Sequence, residues 1–200
     1  TFTPNEGICA NTFTLTVTVN QKVTAGFNFG TSLSICAGAT VPSLPQTSAN
    51  NVSGTWSPAT INNQQGGTYT FTPSVGQCAT GTTLTVTVNP IPTVVVRNDT
   101  TVYDGAQVPG LILTGTPGNV SFNWVNSNTS IGLGASGSGN VPSFTATNRG
   151  NDPITGTITV TPTANGCTGA TGRYTITVRP LNKDVFVPNV FSPNGDGRND

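Results

Sequence analysis

The chain repeats itself, and the repeat constrains its fold more than any single residue does. Residues 1–20 read TFTPNEGICANTFTLTVTVN and residues 70–89 read TFTPSVGQCATGTTLTVTVN. The two align without a gap, Thr1 against Thr70, sharing TFTP, the Gly, Cys and Ala that follow, and the whole phrase LTVTVN. Self-similarity at a fixed spacing marks a chain assembled from copies of one folding unit. In the shared phrase Leu84, Val86 and Val88 alternate with Thr83, Thr85 and Thr87. Successive side chains of a strand point to opposite faces, so this phrase predicts a half-buried β-strand that closes a two-layered sandwich. Threonine, roughly a fifth of the residues, usually stands beside Val, Leu, Ile or Phe, as a pleated half-buried surface favours. Helix-period stretches are essentially absent, and the expected fold class is all-β.

The repeat also sets the expected boundaries. Residues 1–20 read as the C-terminal end of a preceding repeat, and residues 21–89 as one complete repeat. The dipeptide Asn89-Pro90 ends it, because proline removes a ladder donor and restricts the residue before it. A longer sandwich is expected over residues 90–179, with strands at TVVVR, LILTG, VSFNWV, ITGTITVTP and RYTITVR between Gly, Asn, Asp, Ser and Pro clusters. Its closing phrase, NGCTGATGRYTITVRP, repeats the cadence of cysteine, spacer and alternating strand. GLGASGSG (132–139) reads as a surface loop; with no helix-forming pattern after it, it is not a dinucleotide-binding turn. From residue 180 the texture changes, since Lys183, Asp184, Asp196, Arg198 and Asp200 crowd the last stretch, and a new module is expected over 180–200. Both ends fall within a pattern, so the chain reads as an excerpt of a longer protein.

Composition narrows the chemistry. Histidine and methionine are absent, which removes His-based triads, His general bases and His-ligated zinc. Glu6, Asp99, Asp104, Asp152 and Asp184 are scattered singly among turn residues rather than paired for acid and base work, so no enzyme activity is expected of this chain. Charged residues make up 7% of the chain and the net charge is zero, so neither nucleic acid nor an anionic membrane is an expected partner. No apolar run is long enough for a membrane span. Trp56 and Trp124 each sit in a strand-like run and are expected in cores, and no sugar-binding platform is evident.

Cys9, Cys36, Cys78 and Cys167 are too far apart for CxxC metal knuckles. Cys36 begins and Cys78 ends one repeat, so the expected reading is a disulfide between them, closing a loop of about 40 residues and stabilising by about 4 kcal/mol. That pairing implies an oxidising, extracytoplasmic setting; two buried free thiols are the other reading. In SPNGDGRND, Ser192, Asn194, Asp196 and Asp200 fall on alternate positions of a calcium-loop spacing, with Gly197 at the sharp turn. Asn194, Asp196 and Asp200 are therefore candidate calcium ligands. The same residues also read as two tight turns, Asn194-Gly195 and Asp196-Gly197. Calcium is the one cofactor the sequence suggests.

The phrases CAGATVPSLP, GTWSPATINN, GTYTFTPSVGQC and LTVTVNP resemble the immunoglobulin-like repeats of very large surface proteins of gliding Bacteroidota. Residues 91–179, with TPGNVSFNWVNSNTSIGLGASGSGNVPSFTATN, resemble a PKD-like domain, and VFVPNVFSPNGDGRND is similar to the start of the gliding-motility-associated C-terminal domain. The resemblance implies tandem immunoglobulin-like and PKD-like β-sandwiches on the cell surface. It further implies export across the outer membrane by the type IX secretion system and, as partners, its translocon, the gliding machinery and a polysaccharide or abiotic surface. In the export motif it points to Pro188, Asn189, Phe191, Pro193, Asn194, Gly195, Asp196, Gly197, Asn199 and Asp200. Tyr103 stands where PKD-like domains often carry a cysteine, which would leave Cys167 unpaired with Tyr103 packed near it. Asp99-Thr100-Thr101 matches the short pattern at which such bacteria attach O-linked glycans, making Thr100 a candidate acceptor; the same residues also read as an ordinary polar turn.

Overall fold

The computed structural model describes residues 1–7 and 9–181, and the chain divides into two compact units, Thr1–Pro90 and Ile91–Asp200. Among the described residues, the first holds six strands: β1 Val23–Thr24, β2 Ser32–Cys36, β3 Gly54–Ser57, β4 Gly67–Pro73, β5 Ala79–Thr80 and β6 Thr82–Asn89. Four of them form a sheet in the order β2-β6-β4-β3, and β1 pairs with β5 beside it. The β3, β4 and β6 pairings are antiparallel, but β2 runs parallel to β6, with Ser32 opposite Thr85 and Cys36 opposite Asn89.

Alternation decides which face is core. On β4, Tyr69 and Phe71 are buried while Thr68, Thr70 and Thr72 face out; on β6, Leu84 and Val86 are buried while Thr83, Thr85 and Thr87 face out. These side chains meet Ala25, Val52, Trp56 and Ile61 in a single apolar cluster. Phe71 is fully buried, with its ring 4.9 Å edge-on from Phe27 and 5.3 Å from Trp56. Such tilted pairs add to burial because the positive ring edge meets the negative face.

The second unit holds β7 Thr100–Tyr103, β8 Gln107–Val108, β9 Ser121–Asn126, β10 Ser136–Ser138, β11 Phe144–Thr145, β12 Ile154–Ala164, β13 Cys167–Thr168 and β14 Gly172–Arg179. The main sheet runs β10-β9-β12-β14-β7, with β13 folded onto β12 and a separate β11–β8 pair. The last pairing, β7 on β14, is parallel, as β2 on β6 is in the first unit. Phe122, Trp124, Ile158, Val160, Tyr174, Ile176 and Val178 from the main sheet pack with Val108, Leu113, Val141 and Ala146. Each unit is thus an immunoglobulin-like β-sandwich, and in both a tryptophan is buried on the strand paired with the long strand before the last: Trp56 on β3, Trp124 on β9. Burial pushes the Tyr174 phenol above its ordinary pKa, against the pull of the Arg97 guanidinium, which lies 5.5 Å from its ring centre.

Two details follow from residue chemistry. Pro162 sits inside β12 where the strand passes from β14, paired through Val160, to β13, paired from Thr163. A residue without an N–H is tolerated at such a break. Gly137, in the segment expected to be a loop, lies instead on β10 opposite Trp124, and a Cβ there would come within 2.4 Å of the indole. The glycines of GLGASGSG therefore let a short edge strand lie flat on a large ring. Leu133 in the same segment is buried.

Two expected strands are reduced to isolated bridges. TVVVR and LILTG are joined by the bridge of Val95 with Thr114, flanked by Thr93 N donating to the Thr116 carbonyl, and Leu111 bridges Val141. Pro92, Pro109, Gly110, Gly115 and Pro117 punctuate both segments and stop a ladder from extending.

Candidate functional site

Among the described residues, two of the surface concavities bear on function. One, of about 490 Å³, lies in the second unit and is lined by Thr129, Ser130, Thr147, Asn148, Arg149, Gly150 and Ile154. Its floor is structural: Asn148 is buried and donates from Nδ2 to the Val178 and Asp152 carbonyls, at 2.8 and 2.9 Å. Thr147 Oγ1 donates to the Ser130 carbonyl. The lining brings together hydroxyls and one guanidinium, with no base beside a nucleophile.

The other, of about 360 Å³, lies in the first unit between residues 27–29 and 43–49. Its apolar wall is the pair Phe27 and Phe29, half-buried, with rings parallel to within 6° and centres 5.3 Å apart. Phe27 rests on Trp56 and Phe71 behind it, 4.9 Å from each. The turn that presents the pair is closed by Gly30 N donating to the Phe27 carbonyl, and Gly30 has φ +71°, a left-handed conformation that glycine adopts at no steric cost. The facing wall is tied to it: Ala49 N donates to the Gly26 carbonyl, Gly26 N to Asn50 Oδ1, and Asn50 Nδ2 to the Thr24 carbonyl. Trp56 Nε1 donates to the Pro45 carbonyl at 3.0 Å, holding the rim. Asn28, Ser43 and Thr47 also line the cleft, and among the described residues their side chains make no hydrogen bond. The sequence signal for this cleft is FNFG, two phenylalanines at a spacing of two before a turn glycine, a pattern that carries no tryptophan.

The expected Cys36–Cys78 disulfide does not form. Cys78 is a free, exposed thiol, and Cys36 is disulfide-bonded. The reason is strand direction. Because β2 runs parallel to β6, Cys36 is carried to the Asn89 end, whereas Cys78 precedes β6 and its carbonyl accepts from Val23 N at the other end. Thr82 to Asn89 is seven steps, about 23 Å at the usual strand rise, against a Cα separation below about 7 Å for a disulfide. Replacing Cys78 by serine is accordingly expected to change stability by less than about 0.5 kcal/mol, as for an exposed site without a special partner. Denaturant unfolding of the first unit checks this, and a loss near 4 kcal/mol would restore the discarded bond.

Two further expectations are corrected in the second unit. Cys167 is buried and disulfide-bonded rather than unpaired. Tyr103 is 55% exposed and is not beside it: Tyr103 pairs with Arg179, next to the Val178 that faces Ile154, whereas Cys167 pairs with Ala164. Ten strand steps along β12, about 33 Å, separate those ends. Thr100 lies half-buried on β7, its hydroxyl 3.3 Å from the Asn98 carbonyl, while Asp99 accepts from Thr175 N at 2.7 Å and so anchors the strand. The calcium candidates Asn194, Asp196 and Asp200, and the whole motif from Pro188 to Asp200, lie outside the described residues. Among the described residues no cluster of acidic or cysteine side chains could hold a metal, and no helix is long and apolar enough to cross a membrane.

Comparison with known proteins gives likenesses of fold only. No protein family's sequence profile matches the chain, and no curated protein matches it. Solved structures that resemble it include the IG1+IG2 domains of DIP-gamma, at 14% identity and a TM-score of 0.38, over 60% of this chain and 64% of that one. Domains 4 and 5 of the S-layer protein SbsC overlap 70% of the chain and 85% of theirs, at 16% identity and a TM-score of 0.32. Sidekick-1 immunoglobulin domains 1–5 overlap 58% of the chain, at 18% identity and a TM-score of 0.30, the match spanning 26% of that protein chain. The sandwich assignment rests on sheet order and register rather than on these overlaps.

Proposed function

We propose that the chain is the stalk and export-signal region of a large cell-surface adhesin, similar to the C-terminal region of the gliding adhesin SprB or to a related type IX secretion cargo. One observation supports this reading above the rest: two β-sandwiches, each with its own apolar core, follow one another along the chain, and the export-like phrase VFVPNVFSPNGDGRND comes after them. Closed sandwiches joined at a short proline-containing linker make a spacer that needs stability rather than chemistry. The outward faces of β4, β6 and β12 are rows of threonine, which present neutral hydroxyls to water. Such a face suits many weak hydrogen bonds to a polysaccharide or an abiotic surface. In this reading the partners are the outer-membrane translocon and gliding machinery at one end and the substratum at the other. Asn194, Asp196 and Asp200 are its calcium candidates, and Thr100 its candidate site for an O-linked glycan.

The export arm has a direct test. Deleting residues 180–200 from the protein in its host is expected to leave the two sandwiches folded and protease-resistant but held in the periplasm. Immunolabelling of intact cells and periplasmic fractions distinguishes the locations. Undiminished surface labelling of the deleted protein would refute the export assignment while leaving the spacer role standing.

A further inference from the structure

The cleft beside Phe27 and Phe29 lies at the margin of the first core: both rings pack against it yet are only half-buried, so part of their apolar surface lines the cleft. We propose that this cleft binds a neutral glycan, with a pyranose face stacked on the phenylalanine pair and sugar hydroxyls bonded to Asn28, Ser43 and Thr47. The proposal deepens the adhesive reading above by giving it a site and a ligand class. Four features point to this ligand.

The first is the ring geometry. Aromatic faces carry negative charge density, and the C–H groups on one face of a pyranose are weakly positive, so a flat sugar face and an aromatic face attract beyond simple area burial. The second is charge. None of Phe27, Asn28, Phe29, Ser43, Pro45, Thr47, Ser48 and Ala49 is ionisable, so a charged ligand entering the cleft would be desolvated with nothing to compensate it. The third is the inventory of polar groups. An amide and two hydroxyls offer both donors and acceptors, as sugar hydroxyls require, and their bonding capacity is unspent among the described residues. A proline-rich peptide fits less well, because a groove for it uses an indole N–H toward a peptide carbonyl, and Trp56 Nε1 is already committed to Pro45.

The fourth is preorganisation. The Gly30 turn and the Ala49–Gly26, Asn50–Gly26 and Asn50–Thr24 hydrogen bonds fix both walls before any ligand arrives, so little ordering entropy remains to oppose binding. The volume of about 360 Å³ is at the small end for ligand pockets, which suits one or two sugar rings of a longer chain passing across the surface.

The test is titration of the full 200-residue chain, followed by amide and side-chain NMR shifts, with cellohexaose, an agaro-hexasaccharide and an isomalto-hexasaccharide as neutral probes. An oligogalacturonate serves as the acidic probe and decaproline as the peptide probe. At least one neutral sugar is expected to shift Asn28, Phe29 and Thr47, with the acidic and proline probes silent there. Phe29→Ala is expected to weaken that binding at least about tenfold. Asn28→Ala, at an exposed position that cannot unfold the core, is expected to weaken it several-fold. Neutral sugars that shift other surfaces, with affinity unchanged by both variants, would overturn the cleft assignment and leave a polysaccharide-contacting stalk intact. Silence from every neutral sugar would overturn both, and tighter binding of decaproline at Asn28 and Phe29 would replace the glycan by a peptide.

Discussion

Replacing Phe71 by alanine is expected to destabilise the first sandwich severely while the second keeps its stability. Phe71 is fully buried at the centre of β4, and its ring is the floor on which Phe27 and Trp56 rest. Truncating a buried phenylalanine costs about 3–5 kcal/mol, from lost transfer energy and the cavity left behind. Stability near 0.05–0.15 kcal/mol per residue gives a unit of some seventy residues only about 3.5–10 kcal/mol. The loss therefore takes between about a third and all of that stability. Collapse of the cavity is hindered because Gly54 lies against the ring, where even a Cβ would come within 2.6 Å of Phe71 Cζ, so the wall on that side is already backbone. Denaturant unfolding followed by NMR should show the dispersed signals of residues 21–89 lost at much lower denaturant than in the parent chain, with those of the second unit unchanged. Thr70→Ala, on the outward face of the same strand, should move the denaturation midpoint by less than about 0.5 kcal/mol in equivalent stability. Equal effects of the two substitutions would mean that β4 does not have the faces described.

Alternation made the strands legible, but not their partners. Tyr69, Phe71, Leu84, Val86, Ile158, Val160, Tyr174, Ile176 and Val178 all follow the period-two rule and all are core. Nothing in that period says whether a neighbouring strand runs parallel or antiparallel, and the Cys36–Cys78 expectation failed on that point: parallel β2 takes its cysteine to the wrong end of β6. GLGASGSG misled for a different reason. Glycine and serine are read as loop because they carry little to pack, yet opposite the Trp124 indole the absence of a side chain is what lets β10 approach. The cleft at Phe27 and Phe29 was missed because its second wall comes from residues some twenty positions later, joined by hydrogen bonds that no local pattern announces.

The repeat itself shows how far local sequence goes. LTVTVN occurs twice, and in the second copy Leu84 and Val86 are 0% and 2% exposed, while in the first Leu15 and Val17 are 70% and 74% exposed. The residues and their alternation are identical. What differs is that β6 lies between β2 and β4, whereas in residues 1–20 the described pairing is a single bridge, Phe2 with Phe13. Strand propensity supplies an amphipathic ribbon, and flanking strands supply the burial that stabilises it.

The second sandwich should be most sensitive at a polar residue. Asn148 is 4% exposed, and its amide donates to the Val178 and Asp152 carbonyls while its Oδ1 accepts from Gly150 N at 3.0 Å and its backbone N–H donates to Asp104 Oδ1 at 2.8 Å. It thereby joins the end of β14 to the loop before β12. Asn148→Ala removes three side-chain hydrogen bonds, each worth about 1 kcal/mol, and leaves the Val178 carbonyl buried without its partner, so the expected loss is about 3 kcal/mol or more. Asn148→Asp separates the causes. At neutral pH it places a carboxylate where two carbonyls need a donor, which should destabilise at least as much as alanine. The protonated carboxyl can donate one bond, so the folded state prefers the neutral acid and raises the pKa of the new group above its unfolded value near 3.9. The folded chain then binds more protons than the unfolded one in that window, and stability should rise as pH falls through the folded pKa toward the unfolded value. Denaturant midpoints measured from pH 7 down to about pH 4, each relative to the parent chain, read this directly. A deficit in Asn148→Asp that does not shrink on acidification would mean that shape, and not the donated hydrogen bonds, is what Asn148 contributes.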